Sequence, residues 1–270
     1  MRDEIEIARE AARAGSEILM SYWQKLGQSD ADVKGRNDWV SAADRESEDA
    51  IRSILANHYP DDAFICEESG LTRSVDGMDQ REWVIDPLDG TSNYLRHFPF
   101  WCISIALRAK GEVLVGIVYR PLDDEWFIAE AGSGAWRNGE RMRVSEQPQL
   151  EGAFLATGFP FRAQRHLSVY TSIFRDVIAT AKGVRRAGSA ALDLAYTAAG
   201  VFDGFFELHL APWDIAAGAL LVEEAGGIVS DFSGGDRYWT RGNIVGAPAG
   251  VHRDLLALID HHTDESVLDT

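Results

Sequence analysis

Ten residues, Trp83-Val84-Ile85-Asp86-Pro87-Leu88-Asp89-Gly90-Thr91-Ser92, constrain this chain more than any other stretch. An apolar run ending in an acid reads as a buried strand that delivers Asp86 at its C-terminal end. Pro87 has no N–H to extend a ladder, so it turns the chain there. Asp89 comes three residues after Asp86, and Gly90 lets the backbone approach a ligand closely. Two carboxylates and an intervening carbonyl can then converge on one point, an all-oxygen donor set of the kind Mg²⁺ takes. Thr91-Ser92-Asn93 opens a short helix, where the amides of Gly90 and Thr91 are unpaired donors suited to phosphate. Taken alone, the stretch is equally an Asp-Pro-x-Asp-Gly surface turn.

Acidic residues recur at the ends of other elements. Glu67-Glu68 directly follow an apolar strand, Ala63–Cys66, and Asp214 follows Pro212-Trp213 to start a helix over residues 215–225. Asp44 precedes a second helix that ends before Pro60. Asp214 and Asp44 also fit the plain role of helix N-cap. Together, carboxylates at four separated places, ending strands or beginning helices, are what a multi-metal pocket in an edge crevice requires. The net charge of −17 disfavours binding to nucleic-acid phosphates or to an anionic membrane. An anionic substrate would need bound cations to reverse the local field, and such a pocket supplies them.

Periodicity divides the chain into two styles. Apolar spacing over residues 3–26 reads as an amphipathic helix, followed by a polar loop to about Asp38. Residues 103–108, 113–119 and 126–130 read as an antiparallel meander, and Asn138-Gly139 as a hairpin turn. From about residue 150 strands (153–157, 205–208, 227–231, 244–247) alternate with helices (166–181, 190–200, 215–225 and a last one to about 261). The expected fold class is therefore α/β: an α+β half over residues 1–148, an α/β half over 149–262, and a frayed tail over 263–270. Cys66 and Cys102 make no disulfide framework and read as buried thiols. With no signal-like start and no apolar run of the ~18–20 residues a membrane span needs, a soluble cytoplasmic protein is expected.

With these residues assembled, the chain resembles the inositol monophosphatase family of Mg²⁺-dependent, lithium-sensitive phosphatases. Two motifs carry the resemblance: residues 83–91, and Trp213-Asp214-Ile215-Ala216 leading into Glu224-Ala225-Gly226-Gly227. Glu67-Glu68-Ser69 and Gly188-Ser189-Ala190-Ala191 support it, and Cys66 departs from the Gly common in the family there. The resemblance implies a layered αβαβα sandwich, usually a homodimer, with two or three Mg²⁺ ions. It assigns Glu67, Asp86, the Leu88 carbonyl, Asp89 and Asp214 to the metals. Glu67 and Thr91 would position the attacking water, with Asp44 bonded to Thr91. Substrate contacts would come from Asp89, Gly90, Thr91, Arg185, Ser189, Ala190, Glu207 and Asp214, with Glu207 accepting from substrate hydroxyls.

The expected reaction is hydrolysis of inositol monophosphate by in-line attack of a metal-activated water, because a lone general base supplies only ~10²–10⁴ of the required acceleration. Fructose 1,6-bisphosphate, 3′-phosphoadenosine 5′-phosphate and histidinol phosphate are alternative substrates for such a site. A different class is a regulatory interaction protein of the transcription machinery, as some bacterial members of the family are. No Gly-x-Ser-x-Gly elbow or His-based triad competes with either.

Overall fold

The computed structural model of the chain describes residues 2–27, 32–35, 38–71, 81–161 and 164–263. The tail beyond Thr263, expected to fray, lies outside the described residues. The first part of the chain forms α1 (Arg2–Tyr22), β1 (Asp32–Gly35), β2 (Asp38–Val40), α2 (Ala42–His58), β3 (Ala63–Cys66), β4 (Gly70–Leu71), β5 (Arg81–Asp89) and α3 (Thr91–Leu95). The meander β6 (Cys102–Ala109), β7 (Glu112–Arg120), β8 (Glu125–Glu130), β9 (Gly134–Arg137) and β10 (Glu140–Arg141) follows. The rest alternates: β11 (Phe154–Thr157), α4 (Leu167–Thr180), β12 (Gly183–Arg185), α5 (Ala190–Ala198), β13 (Gly204–Glu207), α6 (Pro212–Glu224), β14 (Ile228–Ser230), α7 (Tyr238–Arg241), β15 (Ile244–Ala247) and α8 (Ala249–Asp260).

Two mixed sheets result. One is eight-stranded in the order β10-β9-β8-β7-β6-β5-β3-β4, and the other five-stranded in the order β12-β11-β13-β15-β14. Side chains alternate across a strand, and here both faces of each sheet are buried. On the first sheet, Trp83, Ile85, Ile105 and Ile117 pack under α1 and α2 through Ala8, Ala12, Leu19, Ile51 and Leu55. Val84, Ala106, Val118 and Phe127 face the other way, onto α5 and α6. The opposite side of that helical layer meets Phe205 and Ile244 of the second sheet. Leu155, Phe206, Val245 and Ala247 turn outward onto α4 and α8. The layers run α1/α2, sheet, α5/α6, sheet, α4/α8, an αβαβα sandwich.

The middle helices explain themselves by composition. Every residue of α5, and every residue of α6 from Asp214 to Val222, is buried. A helix apolar on all sides belongs in an interior layer, whereas α1 has the one-sided pattern of an outer helix. Small residues such as Ala190, Ala195, Ala216 and Ala219 let the two helices and two sheets approach closely.

Three expectations need revision. The polar loop before Asp38 contains an antiparallel pair, β1 with β2. The strand at residues 83–85 does not end at Asp86; pairing with β6 resumes at Asp89. Asp44 and Asp214 are not N-caps: α2 begins after Ser41 and α6 after Ala211, placing both acids at the third helical position.

Truncation in the shared middle layer should loosen both sheets. Leu221 is fully buried there. Leu221→Ala is expected to cost about 2–5 kcal/mol in urea unfolding; a loss well under ~1 kcal/mol would show that the layer repacks freely.

Candidate active site

The central geometry comes from an irregularity in β5. Asp86 pairs with Ser104 and Asp89 with Cys102, so three steps on β5 match two on β6. In a regular strand residues three apart point to opposite faces; one extra residue reverses that parity. Asp86 and Asp89 therefore both face the interlayer side, while Leu88 drops into the α1/α2 core. Pro87 sits inside this bulge, where its missing N–H costs no ladder bond. The Leu88 amide donates to Asp86 Oδ1 at 2.9 Å and fixes the first carboxylate.

Asp214 arrives from the first turn of α6. Its Oδ2 accepts the Ala211 amide at 2.7 Å, a back-bond that locks its rotamer. Oxygens of Asp86, Asp89 and Asp214 lie within 4.8 Å of one another. The Ser104 hydroxyl, donating to the Trp213 carbonyl at 3.2 Å, ties α6 to β6 at this point.

Helix α2 braces the site from outside. Buried Asp44 accepts the Ser41 amide and hydroxyl on Oδ2, at 2.8 and 2.6 Å. Its Oδ1 lies 3.0 Å from Thr91 Oγ1, which also lies 3.1 Å from the Leu88 carbonyl. Having one proton, the Thr91 hydroxyl donates to one of these acceptors at a time. Buried Glu48, one turn on, accepts the amides of Glu68 and Ser69 at 2.8 and 2.9 Å and so sets the turn that carries Glu67. Glu67 approaches Asp86 closely enough for the two carboxyls to hydrogen-bond.

Asp89 is held by neutral donors. Its Oδ2 accepts the Ser189 hydroxyl at 2.6 Å and the Ala191 amide at 2.7 Å, at the start of α5. These bonds favour its charge, yet burial and Asp214 push its carboxyl up to about 7. Burial and the negative charges of Glu67, Asp89 and Asp214 raise Asp86 well above the usual carboxylate range. Like charges at such spacing resist common ionisation unless a cation sits among them. The donors are all hard oxygens, which fits Mg²⁺ and not a thiolate-loving metal. Cys102 stays a thiol, because burial and Asp89 push it well up.

Around this cluster opens a cleft of about 340 Å³. It is lined by Glu67, Asp86, Leu88, Asp89, Gly90, Thr91, Ser189, Ala190, Glu207 and Asp214, all singled out from sequence. Asp44 touches it only through Thr91. Gly90 has φ +99°, and a Cβ there would crowd the Phe100 and Gly188 carbonyls at 3.1 and 3.3 Å. At Gly158 a Cβ would overlap the Glu207 carboxylate, so only glycine lets Glu207 lie across that wall. Arg185 is not in the cleft: it is exposed on β12, its guanidinium 4.6 Å from the Phe154 ring centroid. Its neighbour Arg186 lines the cleft instead, over the rings of Phe159 and Phe161. Arg185 is the last residue of β12 and Arg186 the first beyond it, and the two side chains part company, which the Arg-Arg pair in the sequence does not announce. Residues 157–161 and Asp193 also line the wall without having been anticipated.

Comparison with known proteins decides what this frame is. The family model described as the inositol monophosphatase family matches residues 1–266. The chain belongs to the inositol monophosphatase family. It is 45% identical over 266 residues to the protein named Nus factor SuhB of Escherichia coli strain K12, covering 98% of this chain and 97% of that one. The structure of the extragenic suppressor protein SuhB from Bartonella henselae superposes with a TM-score of 0.89 at 40% identity, covering 97% of this chain and all of that one. The inositol monophosphatase from Anabaena gives 0.85 at 35% identity, covering 98% of each chain. These family members share the sandwich that brings β5 and α6 together.

The carboxylate cluster has a consequence for stability. Asp89 binds its proton at about 7 in the folded chain against an ordinary 3.8, so the folded state holds more protons than the unfolded one between those values. Stability without divalent ions should therefore fall as pH rises from about 4 to about 7. Melting curves in EDTA should show this slope, shallower in Asp89→Asn, and Mg²⁺ should flatten it in the native sequence. Identical slopes for both proteins in EDTA would contradict the crowding argument.

Proposed function

We propose that this chain is a Mg²⁺-dependent phosphomonoesterase acting on a polyol phosphate, with inositol monophosphate as the preferred substrate. The convergence of Asp86, Asp89 and Asp214 oxygens within 4.8 Å carries this reading. Asp86, Asp89, Asp214, Glu67 and the Leu88 carbonyl would hold the ions. Bound there, Mg²⁺ supplies acidification of water and neutralisation of phosphoryl charge, the two large terms for a monoester.

The rest is done by the chain. Thr91, oriented by Asp44, offers its hydroxyl oxygen to the attacking water, and Glu67 accepts the proton released. The amides of Gly90 and Thr91, at the start of α3, receive phosphoryl oxygens. Ser189 and the Ala191 amide keep Asp89 from turning away, so the donor set is in place before substrate arrives. Glu207, which also lines the cleft, accepts hydrogen bonds from leaving-group hydroxyls. A cleft of about 340 Å³ is the right order for a sugar-sized ester and small for a dinucleotide.

A second reading rests on the curated relatives, which are named Nus factors. This chain would then also serve the transcription machinery through its surface, independently of the cleft. Recovery of transcription proteins with tagged native chain and equally with Asp89→Asn would establish that role.

The enzymatic reading is tested by phosphate release from inositol 1-phosphate, fructose 1,6-bisphosphate, 3′-phosphoadenosine 5′-phosphate and histidinol phosphate, with Mg²⁺ or EDTA. Inositol 1-phosphate should lead, only with Mg²⁺. Asp89→Asn and Asp214→Asn should each lose at least about 10²–10³ in kcat. Asp44→Asn, acting through Thr91, should lose about 10–100-fold. Near-full turnover in both ligand variants would sink the proposal.

A further inference from the structure

Asp193 is a buried carboxyl that the reaction described above does not use. It sits in the first turn of α5, is 1% exposed, and lines the cleft. Its Oδ1 is wholly buried and has no hydrogen-bond partner among the described residues. A buried carboxyl oxygen left unpaired is costly, and native structures keep such atoms where a ligand or an ordered water completes them. Its carbonyl accepts from Thr197, an ordinary helical contact that leaves the side chain unexplained.

The surroundings narrow what that partner is. Asp193 feels the negative charges of Glu207 and Asp89, offset in part by the Arg186 guanidinium. A phosphoryl group is repelled at such a place and belongs with the cations and amides at the β5 end. The neutral half of a phosphate ester is left to occupy this end. A hydroxyl is the group that suits it, because it donates to a carboxylate and accepts from a carboxylic acid. Glu207 ends β13, lies across Gly158, and lines the same cleft as Asp193, whose carboxyl feels its charge. Two carboxyl side chains lining one cleft match two hydroxyls on one polyol ring.

We propose that Asp193 and Glu207 form a paired hydroxyl-recognition subsite in which Asp193 takes a second hydroxyl of the leaving group and sets specificity for polyol phosphates. This rests on the phosphomonoesterase reading and extends it. Simple aryl esters, which carry no such hydroxyl, gain nothing from the subsite. A site built to hydrogen-bond a hydroxyl discriminates strongly against a substrate lacking it.

The test is Asp193→Asn, which keeps the volume and changes the hydrogen-bonding pattern, with Asp193→Ser measured alongside in case the amide is not accepted in the buried position. Folding is checked by circular dichroism and melting. kcat/KM is measured for inositol 1-phosphate and for 4-nitrophenyl phosphate, and free inositol binding is followed by saturation-transfer NMR with Mg²⁺ and inorganic phosphate present. The expected result is a fall of at least about tenfold in the ratio of the two kcat/KM values, carried by KM for the inositol ester. Saturation transfer to inositol should weaken in parallel. Equal losses on both esters would mark Asp193 as structural, and an unchanged ratio with unchanged inositol binding would overturn the subsite. Absence of turnover on either ester by the native chain would instead overturn the enzymatic reading, while the NMR comparison still decides whether Asp193 meets a polyol.

Discussion

Carboxylates crowded at a desolvated point are the constraint on which the rest of this molecule depends. Asp86, Asp89 and Asp214 stand too close to share full charge in a dry environment, and Glu67 adds a fourth acid against Asp86. The fold offsets this with oriented neutral donors: the Leu88 amide on Asp86, the Ala211 amide on Asp214, and the Ser189 hydroxyl with the Ala191 amide on Asp89. Each acid is gripped by a different segment, so the cluster exists only when β5, α5 and α6 are docked. A metal held there would couple its affinity to folding.

The layered architecture is what makes that docking stiff. Helix α6 lies between two sheets, and its N-terminus emerges where the bulge in β5 turns two side chains inward. On the far side of the first sheet, α2 reaches the same place with Asp44 and Glu48, through Thr91 and the turn after β3. Ser47, between them, meets the Pro87 carbonyl at 3.3 Å inside the bulge. Three successive acceptor or donor positions of one helix thus support three site segments. Precision comes from regular elements, and the loops only carry the acids across short gaps.

Much of this was legible in sequence, for reasons that can be named. Asp-Pro-x-Asp-Gly after an apolar run marks a strand that must break its ladder, and the alternation beyond residue 150 marks an α/β half. Helices α5 and α6 were legible as helices, and their largely apolar make-up suits the interior layer the two sheets give them. The bulge was not legible, because a proline after a strand predicts a turn as readily as an interrupted strand. Arg186 was missed in favour of Arg185 because β12 ends at Arg185, and where the chain turns after it depends on a long-range pairing with β11. Asp193 gave no signal either: in an Ala-rich helix a lone acid reads as a solvated residue, and only the second sheet covering α5 buries it. Glu48 gave no signal for a different reason: it is one of four acids on α2, and only the turn after β3 distinguishes it from the others.

The enzymatic and transcriptional readings make different demands on the acidic cleft, and that difference can be argued from energetics. A protein used only as a docking surface has no use for an interior in which Asp86, Asp89 and Asp193 are all raised above the ordinary carboxylate range by burial. Neutral replacements of similar volume would stabilise such a chain, since unpaired buried charge is among the costliest features a fold carries. Local violations of good packing logic are retained where function needs them. Here they cluster around one cleft, beside a glycine-walled space and a threonine held by a buried acid. A partner surface elsewhere on the chain would leave that cleft unexplained, so the cleft has to be accounted for on its own terms.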